Sequence, residues 1–137
     1  MIVSVSGPSA SGKTTATRKL IEHFGGTPPL LLSHTTRKPR VSDIPGEYHY
    51  IALDEYEALK QTGAFLWTAE VYGNRYGTLR LSVDEILKEP LSFAILTVPT
   101  AEILYRYLKE KGREKELLPL YLRIGDESVL RERLALR

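Results

Sequence analysis

A chain of 137 residues is long enough for one domain with its own hydrophobic core and too short for two. Its 42% hydrophobic and 26% charged residues are ordinary for a globular protein, and a net charge of +2 supplies no strong field toward nucleic acid or an anionic membrane, while suiting a phosphorylated small substrate. With no cysteine, no basic and apolar leader at the start and no apolar run near the roughly 20 residues of a membrane helix, the expectation is a cytoplasmic protein without disulfides, thiolate metal sites, nucleic acid or membrane partners.

Met1 to Ser6 is short, apolar and β-branched, the signature of a buried strand, and a Gly-rich turn follows it. Lys13 to Phe24 reads as a helix with Leu20, Ile21 and Phe24 on one side, stopped by Gly25 and Gly26. Leu30 to Ser33 is a second buried strand, and the polar, basic, Pro-containing stretch from His34 to Pro45 is loop. Tyr48 to Leu53 reads as a strand. Asp54 and Glu57 fit a capping box for a short helix ending at Gly63, and Phe65 to Tyr72 is a further strand before a turn at Gly73 to Gly77. Ser82 and Glu85 fit a second capping box, for a helix ending before Pro90. Ser92 to Val98 is the most apolar strand, Ala101 to Lys111 a helix stopped by Gly112, Leu120 to Ile124 a strand, and Ser128 to Arg137 the beginning of a helix.

Strands alternating with helices predict an α/β fold with a parallel sheet covered by helices on both faces. The polar stretch after Ser33 breaks that rhythm. The expected organisation is a core from residues 1–33 and 82–137, with an inserted subdomain at 34–81 that forms its own small sheet.

Gly7-Pro8-Ser9-Ala10-Ser11-Gly12-Lys13-Thr14 matches the phosphate loop Gly-x4-Gly-Lys-[Ser/Thr] at every fixed position, directly after a buried strand and opening a helix. Glycines let the backbone curl until successive N–H groups face phosphate oxygens. The helix aims its positive end at the same anion. Lys13 adds a mobile cation for β- and γ-phosphates, and Thr14 a hydroxyl suited to Mg2+. Thr15, the next residue, joins the ATP-binding set. The bland alternative, a Gly/Ser turn between strand and helix, does not explain why every fixed position is filled. The loop alone specifies a nucleoside triphosphate, not the reaction.

Downstream, Ser33-His34-Thr35-Thr36-Arg37-Lys38-Pro39-Arg40 places two arginines three apart, followed by Gly46-Glu47-Tyr48 and Gly73-Asn74-Arg75-Tyr76-Gly77-Thr78. Arginine forks and tyrosine hydroxyls suit a phosphate monoester; taken alone, the same residues read as a solvated basic loop with aromatic turns. Taken in order with the phosphate loop, they resemble the guanylate kinase family. SHTTRKPR is similar to its Ser-x-Thr-Thr-Arg-x-x-Arg signature, GEYHY to the segment with its phosphate-binding tyrosine, and GNRYGT to its Gly-Asn-x-Tyr-Gly-[Ser/Thr] turn.

The resemblance implies transfer of the γ-phosphoryl group of ATP, with Mg2+, to a nucleoside monophosphate, most simply GMP. It implies that Arg37, Arg40, Tyr48 and Tyr76 hold the acceptor phosphate and that Ser33 and Thr78 bond the base. Lys13, Arg37 and Arg40 are then the catalytic charges. The chain departs from the family where Trp67 follows Phe65-Leu66 in place of a Glu that reads the guanine edge, and where Thr97 and Pro99 replace an Asp-x-Asp. Trp67 is then either a core aromatic or a stacking residue. The family also continues past this C-terminus into a lid, a fifth core strand and a last helix, and Arg133 and Arg137 resemble the approach to that lid. Two other readings stay open: a kinase of the same fold with another phosphorylated acceptor, and a phosphopeptide-binding module that has lost the chemistry.

Overall fold

A computed structural model describes residues 1–136. In chain order it contains β1 (Ile2–Ser6), α1 (Lys13–His23), β2 (Ser33–Thr35), β3 (Tyr48–Tyr50), α2 (Leu53–Gln61), β4 (Phe65–Val71), β5 (Asn74–Leu79), α3 (Arg80–Ile86), β6 (Ser92–Ile95), α4 (Val98–Glu110), a 3-10 turn (Glu114–Glu116), β7 (Leu117–Tyr121) and α5 (Glu127–Ala135).

The core is a parallel sheet in the order β6-β1-β7. All five residues of β1 are buried, because both its faces are covered. Alternation sorts them. Ile2 faces Ala94, Val83 and Ile86 of α3, and Leu104 and Leu108 of α4. Val3 faces Phe93, Leu30, Ile44, and Leu20 and Ile21 of α1. Ile2, Leu104 and Leu108 are fully buried, each worth about 1.5–3 kcal/mol of transfer free energy. The expected α/β architecture, a parallel sheet with a helix layer on each face, is therefore present.

A second sheet runs in the order β3-β2-β5-β4. β2 and β3 are parallel, and the other pairs antiparallel. α2 covers it through Tyr56, which packs with Ile51 and Phe65. Gly77 sits under the Phe65 ring, where a Cβ would come within 2.6 Å of a ring carbon, so a side chain there would have to push the ring aside.

Several element boundaries differ from the sequence-based expectations, each for a local reason. The Leu30 to Ser33 strand does not form in the core. Only Leu30 bridges Phe93, with the Leu31 amide donating to the Phe93 carbonyl at 2.8 Å. Pro28 and Pro29 have no N–H to extend that ladder backward, and the Ser33 amide turns away to the Glu47 carbonyl at 3.0 Å. His34 and Thr35, read as loop, therefore belong to β2. The expected turn at Gly73 to Gly77 is confined to Tyr72 and Gly73, whose positive φ of 50° and 77° form a tight hairpin, and Asn74 onward is strand.

Neither expected capping box forms. α2 and α3 have Ala52 and Leu79 at their N-caps, without a side-chain cap. Asp54 instead accepts the Glu55 amide. Thr97 and Thr100 make a capping box of their own, so β6 ends at Ile95 and α4 begins at Val98, earlier than Ala101. β7 lies three residues earlier than the expected Leu120 to Ile124, with Pro119 tolerated because β7 is an edge strand. α5 begins at Glu127, capped by Asp126, and Arg137 lies outside the described residues. Among the described residues, no helix is long and apolar enough to cross a membrane.

Candidate functional site

β1 delivers the chain into the loop at Gly7. A Cβ there would lie 2.7 Å from the Leu122 carbonyl oxygen and 2.9 Å from Ser11 Oγ, so the approach of the segment after β7 depends on glycine. Gly12, at φ 90°, ends the loop as the N-cap of α1, whose positive end faces the curl. Lys13 folds back across it: Nζ donates to the Gly7 and Pro8 carbonyls at 2.8 Å each. Ser9, Ala10, Ser11, Gly12, Thr14 and Thr15 line the adjoining cleft. Arg133 of α5 reaches the same loop, its Nη1 3.3 Å from the Ala10 carbonyl oxygen.

Across the cleft stands Arg37, only 7% exposed although charged. Its Nε donates to the Tyr76 hydroxyl at 3.1 Å, Nη1 to the Lys38 carbonyl at 2.9 Å and Nη2 to Asp43 Oδ1 at 2.9 Å. The guanidinium also lies over the Tyr48 ring, 5.1 Å from its centroid. The Tyr48 ring in turn packs edge-on against Tyr76, at 6.0 Å. Arg40 is exposed, and its backbone amide donates to Asp43 Oδ2 at 2.9 Å.

The electrostatics follow from burial and these bonds. Burial opposes charge on Arg37, but the Asp43 carboxylate and the Tyr76 hydroxyl outweigh it and hold the guanidinium firmly protonated. Burial also pushes the Asp43 carboxyl up; the bonds from Arg37, Tyr50 and the Arg40 amide overcome that and hold it below the usual carboxylate range. Glu47 goes the other way: burial pushes its carboxyl up, only partly offset by the Ile44 amide, which donates to Oε2 at 3.2 Å. Burial and the neighbouring Glu47 carboxylate raise the Tyr48 hydroxyl well above the ordinary tyrosine range. Burial, then the bond to Asp43, pushes Tyr50 up to about 12.

The loop and Arg37, Arg40, Tyr48 and Tyr76 line one open cleft of about 840 Å³. That is the volume class of a small-molecule site. Ser33 and Thr78 meet each other, hydroxyl to hydroxyl at 2.7 Å, on adjacent strands β2 and β5. They are not on the lining of that cleft; Thr78 is fully buried. Trp67 is a core residue, 8% exposed and packed in the cluster with Ile2 and Leu104. Glu70 lies opposite Arg75 on the hairpin, 3.4 Å from its guanidinium. Thr97 is taken up in capping α4.

Two acids on the cleft wall escaped the sequence reading, Asp43 and Glu47. The only available signal was their position within a few residues of Arg40 and Tyr48, and nearness in sequence does not say which way a carboxylate turns. Among the described residues, no group of three His, Cys, Asp or Glu side chains is placed to hold a metal ion. The loop's own candidate ligand is the Thr14 hydroxyl on the cleft wall.

Comparison with known proteins gives the family. The family model for guanylate kinase matches residues 1–131. The chain is 31% identical over 136 aligned residues to a guanylate kinase from Chlamydia abortus, covering 84% of this chain and 67% of that protein. It is 43% identical over 84 residues to a guanylate kinase from Sphingopyxis alaskensis, covering 61% of this chain and 38% of that protein. The crystal structure of guanylate kinase from Anaplasma phagocytophilum shares the fold, with a TM-score of 0.69 at 24% identity over 99% of this chain and 66% of that one. The chain thus spans about two thirds of the Chlamydia protein's length, and its match to the Sphingopyxis protein covers 38% of that one. A phosphate loop at the head of α1, a paired arginine–tyrosine wall facing it, and a family model running through both place this chain in the guanylate kinase family.

Proposed function

We propose that the chain moves the γ-phosphoryl group of ATP to the phosphate of a nucleoside monophosphate, with GMP as the preferred acceptor. The observation that carries this reading is the single cleft whose walls are the phosphate loop on one side and Arg37, Arg40, Tyr48 and Tyr76 on the other. In this reading residues 7–15 hold ATP, the arginines and tyrosines hold the acceptor phosphate, and Ser33 and Thr78 reach the base by giving up their bond to each other. Residues 34–81 form the acceptor subdomain and the flanking segments the core. The setting is cytoplasmic.

The residues fit a Mg2+ ion carried in on the nucleotide, for which Thr14 on the cleft wall would supply one hard oxygen. Bound there, Mg2+ would neutralise charge on the β- and γ-phosphates. Lys13 leaves the Gly7 and Pro8 carbonyls for the phosphates, a short move along the same loop. Arg37 comes with its plane already fixed. No general base is needed, because the attacking phosphate oxygen is already an anion, so catalysis is positioning and charge neutralisation. The filled fixed positions of the loop favour transfer over a binding module that has lost the chemistry.

A bisubstrate probe tests the shared cleft: adenosine and guanosine joined through a pentaphosphate. The expected result is inhibition competitive against both ATP and GMP. Competition against ATP alone would separate the two sites and reject the reading.

A further inference from the structure

We propose that Asp43 is a positioning residue of the acceptor site, one carboxylate that sets the direction of Arg37 and the path of the backbone at Arg40. The inference rests on the acceptor role of this wall. Asp43 is 14% exposed, and both its oxygens are committed. Oδ1 takes Arg37 Nη2 at 2.9 Å. Oδ2 takes the Arg40 amide at 2.9 Å and the Tyr50 hydroxyl at 2.5 Å. The Arg40 carbonyl accepts the Asp43 amide at 3.1 Å, which closes the turn between them. The Ser42 carbonyl accepts Arg18 Nη2 of α1 at 2.8 Å, tying the same turn to the helix that begins at the phosphate loop.

A carboxylate on the wall of a phosphate site opposes the charge that site must bind. What it supplies is geometry. Of the five N–H groups of Arg37, the bonds to Tyr76, Lys38 and Asp43 use three, and two remain for a ligand. Nε–H enters the Tyr76 oxygen, so the Tyr76 hydroxyl proton is left to donate elsewhere. Both consequences need the guanidinium plane that Asp43 fixes. A long side chain fixed before binding loses less freedom when the ligand arrives.

The test compares Asp43→Ala, Asp43→Asn, Asp43→Glu and Arg37→Ala with the unaltered chain, by calorimetric titration of GMP and of ATP and by steady-state rates. Asp43→Ala is expected to weaken GMP about 10-fold or more and to lower kcat, with ATP affinity nearly unchanged. Asp43→Asn, similar in volume, keeps one acceptor but turns a donor toward the Arg40 amide and Tyr50, so it should also weaken GMP; it carries the test if the alanine variant does not fold. Asp43→Glu should restore most of the loss. Unchanged or tighter GMP binding in the alanine and asparagine variants, with Arg37→Ala still weakening it, would overturn the inference. GMP binding unmoved by Arg37→Ala would overturn the acceptor reading and this inference with it.

Discussion

Gly7 has less freedom than Gly12 in the same loop, because a methyl group there meets a backbone oxygen rather than open space. Gly7→Ala should cost about 1–3 kcal/mol in chemical denaturation and lose most ATP affinity in titration; a stable variant with normal ATP affinity would mean the loop has another shape. Lys13→Ala should cut phosphoryl transfer by roughly 100-fold or more with an unchanged circular dichroism spectrum. Arg37→Ala and Arg40→Ala should each cost the acceptor about 2 kcal/mol or more while sparing ATP, and equal losses for both ligands would refute the division of roles. At this scale the spacing in the sequence singled out the loop residues, arginines and tyrosines that line one cleft. Asp43 and Glu47 were not singled out. A carboxylate's role depends on whether it faces solvent or a buried guanidinium, and that is decided by the path of the loop from Arg37 to Tyr48.

Among the elements, the sequence carried strand and helix identity better than their ends. Ser82 and Asp54 fill the pattern of a cap, yet each lies inside its helix, because pairing of β5 and the end of β3 set where α3 and α2 begin. Thr97 has the geometry instead. Thr97→Ala should therefore lower stability by about 1 kcal/mol, and Ser82→Ala by much less; equal losses in denaturant midpoints would contradict the cap assignment. The pairing of β2 with β3 makes a second testable element. It stacks the rings of His34 and His49 at 5.0 Å. Burial, then the neighbouring His49, holds the His34 imidazole below its ordinary 6.5, against a smaller opposite pull from Glu55. Below that value the unfolded chain takes up a proton that the folded one resists, so this contribution to stability falls as pH drops from 6.5 toward the lowered folded value. Denaturation midpoints of the unaltered chain should fall more steeply across that range than those of His34→Gln. Parallel curves would show that His34 titrates as if unfolded.

For the whole molecule, the alternation of strands and helices and the polar interruption foretold a parallel core and a second small sheet. They did not foretell that the two sheets present their functional residues to one cleft, which depends on how the segment after Pro29 leaves the core for β2. Base choice belongs to this scale as well. Trp67 is committed to the core and Glu70 faces Arg75, so neither supplies a carboxylate to the acceptor base in this arrangement. GMP should be preferred over AMP once Ser33 and Thr78 exchange their bond to each other for the base, but less sharply than with a buried acidic reader; a kcat/KM ratio of about 10⁴ or more would show that such a reader exists. The most direct test of phosphoryl transfer follows the phosphoryl group itself. The chain is mixed with Mg2+, GMP and ATP labelled at the γ-phosphate, and the products are separated. Label is expected in the β-phosphate of GDP, appearing in step with ADP and only when GMP is present. ADP release without GMP, or label recovered only as inorganic phosphate, would contradict transfer to GMP.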